Sequence, residues 1–270
     1  MRGVTVSGHA SVFAEGGVPG WPPSVHDFYL PSIIGTAGPW LTKFTLLVWV
    51  AVAVILVFFL VAYRDPKLVP TRMQWLAESI YGFARNDVAG EVIGHDGLRF
   101  APYLASLFCF ILVTNIFGIL PFIQISPNSH IAFPAVLAAI SYILFMYLGF
   151  RKHGVFGYIK STLIIPGVPW PMLFLVAPLE FVSTFVLRPF TLALRLFANM
   201  FAGHVILLVF TLGGFVLLNA QSLFIKPISL VSWAMAILLT FFELLVAALQ
   251  AYVFALLTAS YVQGALADEH

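Results

Sequence analysis

Five ionisable side chains lie in the last third of the sequence, where most other residues are apolar. A permanent cation at the centre of a bilayer costs about 3 kcal/mol on insertion scales, so a residue such as Arg195 indicates a function. An acid and an imidazole can pass a proton between them near neutral pH. These residue types therefore predict charge handling inside a membrane. The five are Glu180, Arg188, Arg195, His204 and Glu243.

The helical positions of these residues predict separate polar faces on two apolar arms. At roughly 100° per residue, Glu180 and Arg188 flank a polar stripe on the first arm, while His204 falls on the other side of that arm. The second arm is predicted to carry a single polar face. The stripe consists of Thr184, Thr191, Arg195 and Asn199, and the face of the second arm consists of Glu243, Gln250 and Tyr261.

Several of these residues also have a plain structural interpretation, which for Arg195 carries the least weight. Glu180 and Arg188 can be structural, with Glu180 capping or pairing near a helix entry, or can support the charge-handling site. Asn199 and Gln250 can hydrogen-bond between helices as packing groups. A lone His204 is usually a satisfied polar residue, but an acid on the opposite arm favours a proton relay. Alanines at every fourth position predict close helix packing, and these are Ala247, Ala251, Ala255 and Ala259.

The composition indicates the class of protein that holds these side chains. Hydrophobic residues make up 61% of the 270 residues and charged residues only 9%, whereas soluble domains have about 25% charged residues. The chain is therefore predicted to be an all-α, polytopic membrane protein. Because Cys109 is the only cysteine, an intrachain disulfide is excluded.

Shorter apolar runs predict the spans that precede the two arms. One N-terminal span is expected at residues 40–63, and two further spans at 100–123 and 131–150. Between the first and second spans, Thr71 and Gln74 form the pattern of a capping box at the start of an amphipathic helix. Its polar face predicts that this helix lies on the membrane surface.

The two arms themselves are much longer than a span requires. As continuous helices, residues 172–218 and 227–262 would extend roughly 70 Å and 54 Å, against a bilayer core of about 30 Å. We expect a long, strongly tilted helical hairpin that carries the site at residues 172–262, because no polar loop interrupts either arm. The alternative is that Pro178 and Pro189 break the first arm into two upright spans.

The loop charges predict the orientation of the chain in the membrane. Lysine and arginine are concentrated after the first span and after the third span. The positive-inside rule then places the N terminus outside and the C terminus in the cytoplasm. Residues 1–39 are predicted to form an extracytoplasmic tail, and residues 40–270 a single membrane domain.

Two segments resemble the signature sequences of a known family. Residues 194–203 read LRLFANMFAG and residues 249–258 read LQAYVFALLT. Together with Arg188-Pro189 and the NIFGILP run at 115–121, they resemble subunit a of the rotary ATP synthase, and the sequence is most similar to actinobacterial forms. The family's essential arginine maps onto Arg195, its neighbouring asparagine onto Asn199, and its second-arm glutamine onto Gln250. His204 and Glu243 resemble the exchanged histidine–glutamate arrangement of some members.

The resemblance implies a stator that provides two proton half-channels beside a rotating ring, with each ring subunit carrying a membrane-embedded carboxyl group. The implied partners are c-ring subunits, peripheral-stalk b subunits, the catalytic head through stator and rotor, protons and the lipid bilayer, and no nucleic acid. No cofactor and no metal are implied, and the chain by itself is not expected to be an enzyme. The implied location is a bacterial cell membrane, with the mitochondrial inner membrane as the alternative.

The residues alone leave one other class of protein open. A secondary transporter could use Arg195 to bind an anionic substrate at mid-membrane. Such transporters usually contain two related halves with broken helices at matching positions. The sequence contains no evident internal repeat, which favours the stator. It also lacks the G-x-x-x-x-G-K-[ST] pattern of a phosphate-binding loop, so no nucleotide site is expected.

Overall fold

The computed structural model describes residues 42–120, 123, 126–163, 170–219 and 226–266. The predicted tail at 1–39 and the C-terminal residues 267–270 lie outside the described residues. Within the described ranges all regular structure is helical, and five helices are long and apolar enough to cross a membrane. The predicted class of all-α polytopic membrane protein is therefore confirmed.

Eight α-helices, two π-helical segments and two short 3-10 turns make up the described secondary structure. The α-helices are α1 (Lys43–Ala62), α2 (Arg72–Gly82), α3 (Ala101–Ile119), α4 (Ala132–His153), α5 (Val155–Leu163), α6 (Trp170–Val182), α7 (Arg188–Leu218) and α8 (Lys226–Leu266). The π-helical segments are Phe83–Ile93 and Ser183–Leu187, and the 3-10 turns are His95–Phe100 and Pro127–Ser129.

The three predicted single spans correspond to α1, α3 and α4, with two shifted ends. Helix α3 stops at Ile119, because Leu120 takes an extended conformation before the proline at position 121. Helix α4 runs on to His153 and ends where Gly154 adopts a φ of 72°, which glycine reaches without a steric penalty.

The capping box predicted at the start of α2 is only half formed. Thr71 Oγ1 accepts a hydrogen bond from the backbone N–H of Gln74 at 3.4 Å, as expected of an N-cap. The Gln74 side chain, however, does not return to Thr71. It accepts from the Lys67 N–H and donates to the Lys67 carbonyl, both at 3.1 Å, and donates to Glu78 at 2.8 Å. The preceding loop therefore provides better partners than the N-cap residue does. That α2 lies on the membrane surface stays a prediction.

Neither proline ends the first long arm. Pro178 lies inside α6, and Pro189 is the second residue of α7. A helical proline lacks an N–H and crowds the carbonyl four residues earlier. Here the turn before Pro189 is widened, because the Arg188 N–H donates to the Ser183 carbonyl five residues back. The expectation of two long helical arms is borne out by apolar helices of 45 and 41 residues, and neither Pro178 nor Pro189 interrupts the first of them. How the arms cross the membrane, including their tilt, stays a prediction.

The chain divides into two compact units, and the larger comprises Phe44–Met200 and Val246–His270. Its central core joins Leu192 and Leu196 of α7 to Ile111 of α3 and Phe254 of α8. The alanine series of α8 is buried throughout, at 0–1% exposure. Alanine contributes little side-chain bulk, and Ala251 and Ala259 pack into core clusters with larger apolar side chains of neighbouring helices, as the packing interpretation predicted.

The smaller unit comprises Met1–Lys43 and Phe201–Leu245, and its described part pairs the second half of α7 with the first half of α8. Ser232 Oγ donates to the Phe210 carbonyl at 2.7 Å. The Trp233 indole occupies the place where a Cβ on Gly214 would lie, and stacks edge-on against Phe215 at 5.4 Å between ring centroids. These contacts fix the antiparallel register of the two arms in this unit.

Candidate functional site

The predicted acid–imidazole pair lies together in the smaller unit. His204 Nδ1 is 3.4 Å from Glu243 Oε1, and the two side chains are only 7% and 6% exposed. Among the described residues, neither carboxylate oxygen of Glu243 accepts a hydrogen bond. A buried carboxylate without partners is costly, so a positive charge on the adjacent imidazole or a proton on the acid stabilises it. The pair can therefore hold and transfer one proton.

Gly203 makes the approach of Glu243 to α7 sterically feasible. A Cβ at this position would lie 2.6 Å from Glu243 Oε1 and 3.1 Å from the carboxyl carbon. Any larger residue would displace the acid. Sequence reasoning did not single out Gly203 as a site residue, although it ends the first quoted signature segment. The signal in the sequence was a glycine directly before His204 in an otherwise apolar helical run.

We expect Gly203→Ala to lower proton flux through the membrane sector several-fold, because the added methyl moves the Glu243 carboxylate away from His204. Flux can be measured with a pH dye in vesicles stripped of the catalytic head. Gly264→Ala is the matched control, since nothing lies within 4 Å of a Cβ built on Gly264 of α8. Both changes raise helix propensity. Wild-type flux in Gly203→Ala would contradict the steric role.

Arg195 lies exposed on α7 in the larger unit. The buried neighbours Leu192 and Leu196 fix the rotation of the helix, so Arg195 points away from the core. Within the described residues no acid pairs with its guanidinium. Asn199, one turn further on, is half-buried. A cation on a membrane helix is costly unless it faces water or lies close to an opposite charge.

Gln250 is buried in the larger unit beside a polar network. Asn115 Nδ2 donates to the Ala247 carbonyl at 3.3 Å, one turn before Gln250. Asn128 Nδ2 in turn donates to Thr114 Oγ1 at 2.8 Å and to Asn115 Oδ1 at 2.7 Å. The network fixes α3 to α8 through amide groups. Sequence reasoning missed Thr114 and Asn128, because hydrogen bonds across a turn leave no periodic pattern.

Glu180 and Arg188 form the ion pair allowed by their structural interpretation. Arg188 Nη2 lies 3.7 Å from Glu180 Oε1, and Thr184 Oγ1 donates to the same carboxylate oxygen at 3.3 Å. The Arg188 guanidinium also stands over the Tyr261 ring, 5.6 Å from its centroid. Tyr261 therefore lies beside Arg188, whereas Gln250, about three turns earlier on α8, belongs to a different set of contacts.

The predicted stripe of Thr184, Thr191, Arg195 and Asn199 needs one correction. Thr184 is buried, whereas Thr191 and Arg195 are exposed. The π-helical turn between Thr184 and Thr191 holds about one extra residue, so the residues after it lag the regular helical wheel by roughly 100°. The Thr191 hydroxyl donates to the Leu187 and Arg188 carbonyls of its own helix, at 2.7 Å and 3.2 Å.

The fold and these side chains define a polytopic helical membrane protein with ion-handling residues on long apolar helices. The family model described as ATP synthase A chain matches residues 45–263. ATP synthase subunit a of Rhodococcus erythropolis is 47% identical over 260 residues, covering 92% of this chain and 91% of that protein. The corresponding subunit a of Nocardioides sp. is 44% identical, with 92% and 94% covered, and that of Streptomyces lividans is 41% identical, with 93% and 90% covered. The chain belongs to the ATP synthase A chain family.

Family membership confirms the resemblance, including its actinobacterial character. The chain is a proton-translocating, non-catalytic component of the ATP synthase membrane sector, and the transporter alternative is not supported. It works in a bacterial membrane together with other subunits of the complex.

Proposed function

We propose that Arg195 separates two proton half-channels and acts as the counter-charge for the carboxyl groups of a c-ring. The observation that carries this assignment is an exposed guanidinium on α7 with no acidic partner among the described residues. A fixed cation favours the deprotonated form of a carboxyl group that comes close to it. A ring carboxyl that reaches Arg195 then releases its proton to the cytoplasmic half-channel. The same charge repels a free proton that would cross directly.

The outer half-channel runs through His204 and Glu243. Their buried proximity supports a relay in which the imidazole and the carboxyl group exchange one proton. Asn199 and Gln250 provide polar side chains along the path to the ring. Each charge that moves across 100 mV releases about 2.3 kcal/mol, so several protons must pass for each ATP synthesised.

The proposed assembly follows from this role. The ring-facing surface is the Arg195 side of α7, and peripheral-stalk b subunits hold the chain against rotation, which couples it to the catalytic head. The N terminus lies outside and the C terminus in the cytoplasm, as the basic loops indicate. Glu180 and Tyr261 support the site by holding Arg188, and none of the three residues takes the proton path itself.

Cysteine cross-linking tests which surface faces the ring. In a Cys109→Ala background, we expect Thr191→Cys, exposed one turn before Arg195, to form a disulfide with a cysteine placed beside the ring carboxyl group. Val57→Cys, exposed on α1, is the control and should give no such product. A ring cross-link from position 57 and none from position 191 would assign the ring to another face.

A further inference from the structure

Arg188 is a second cation on the same side of the helix as Arg195. Seven residues separate them in α7, which is within about 20° of two full turns and roughly 10 Å along the axis. Both belong to the larger unit, and the Arg188 side chain is 33% exposed. Without other contacts, two cations would therefore stand in line along the proposed ring-facing surface.

The pairing of Arg188 with Glu180 depends on the π-helical turn. The two residues are eight apart, so a regular α-helix would place them about 80° apart around the axis. One extra residue in the turn Ser183–Leu187 reduces that difference to about 20°. The 3.7 Å ion pair, and the Thr184 hydroxyl that donates to the same oxygen, follow from this local geometry.

Arg188 is also held from outside its own arm. The Tyr261 ring on α8 contacts the guanidinium face, 5.6 Å away at the centroid. Burial raises the pKa of Tyr158 on α5, and the charge of Arg188 acts in the opposite direction, so Arg188 lies near this helix as well. Arg195 differs from Arg188 in this respect, because none of the described residues pairs with it.

We propose that Glu180 and Tyr261 are positioning residues that form a charge lock on Arg188, so that Arg195 alone acts as the counter-charge for ring carboxylates. This inference rests on the proposed function of Arg195. A carboxylate that met two available cations in succession would be held at both, and its release would slow. The lock gives Arg188 an internal partner and so withdraws its charge from the ring-facing surface.

The lock can be tested by asking whether Arg188→Gln relieves the defect caused by Glu180→Gln, in vesicles that contain the complete complex. We expect Glu180→Gln to slow ATP synthesis about five- to tenfold, because it releases Arg188 as a competing cation. Arg188→Gln removes the competitor and should stay within about twofold of wild type. The double variant should also stay within about twofold, since the residue that Glu180 restrains is then absent.

Aromatic substitutions at Tyr261 provide a second readout. Tyr261→Phe keeps the ring face and should behave as wild type, whereas Tyr261→Leu should slow synthesis and be relieved by Arg188→Gln. Rates are compared per assembled complex, quantified by immunoblotting of the purified enzyme. A double variant as slow as Glu180→Gln, or a Glu180→Gln variant with the wild-type rate, would overturn the lock. Arg195→Gln in the same series separates the two ideas, because only its retained synthesis would contradict the proposed function.

Discussion

Replacing Arg195 by alanine should abolish ATP synthesis driven by a proton gradient, with a loss of about 100-fold or more, while the complex still assembles. The substitution removes an exposed side chain that packs against no core cluster, so the fold is retained. It also removes the proposed partner of the ring carboxylate and the barrier between the half-channels. Synthesis is measured in reconstituted vesicles with an imposed proton gradient.

The control for this change is Arg151→Ala, which removes an exposed arginine in the last turn of α4. It should keep near-normal synthesis. Passive proton leak should increase in Arg195→Ala vesicles and stay unchanged in the control, because only Arg195 is expected to block the direct route. Near-normal synthesis by Arg195→Ala would refute the central assignment.

Loss of either His204 or Glu243 should slow proton entry about 10- to 100-fold, as expected for a positioned proton-transfer group. If the pair acts as one relay, the double variant should be little slower than the slower single variant, because residues that act as a unit are not additive. Proton flux through head-stripped vesicles, measured with a pH dye, reports this step directly.

Exchanging the two residues distinguishes a shared relay from two independent roles more clearly than the single substitutions do. His204→Glu combined with Glu243→His restores one acid and one imidazole, and should retain more flux than either single substitution. Gly203 still leaves room for the side chain opposite it. Independent, multiplicative losses without rescue would show that the two residues act separately and that the entry path runs elsewhere.

Much of the fold could be predicted because apolar length sets the spans. Helices α1, α3 and α4 match their predicted runs, and both arms are long and helical. The proximity of His204 and Glu243 was predicted as well, since an acid and an imidazole on antiparallel arms can meet only at compatible depths. Their roles, like that of Arg195, stay predictions.

The sequence-based predictions that the structure does not match failed for local physical reasons. The π-helical turn before Pro189 changes the helical phase, so the burial of Thr184 could not be read from a regular wheel. The Gln74 side chain hydrogen-bonds the backbone of Lys67 in the preceding loop, and a capping-box pattern cannot predict where that loop lies. The Asn128 network depends on contacts across a turn, and the role of Gly203 depends on the exact separation of two helices.

The alanine contacts of α8 also matter for mechanical load. If the chain is held against a turning ring, as proposed, it receives a reaction force at every step of rotation. Alanine has no side-chain torsion that could rearrange under such a force, and all four residues of the series are buried. At two of these positions the alanine packs inside a core cluster, Ala251 with Leu192 and Leu196 of α7 and Ala259 with Leu104 of α3, so this face should yield little when pushed. Elastic deformation during rotation should therefore be taken up by parts of the complex other than this packed face.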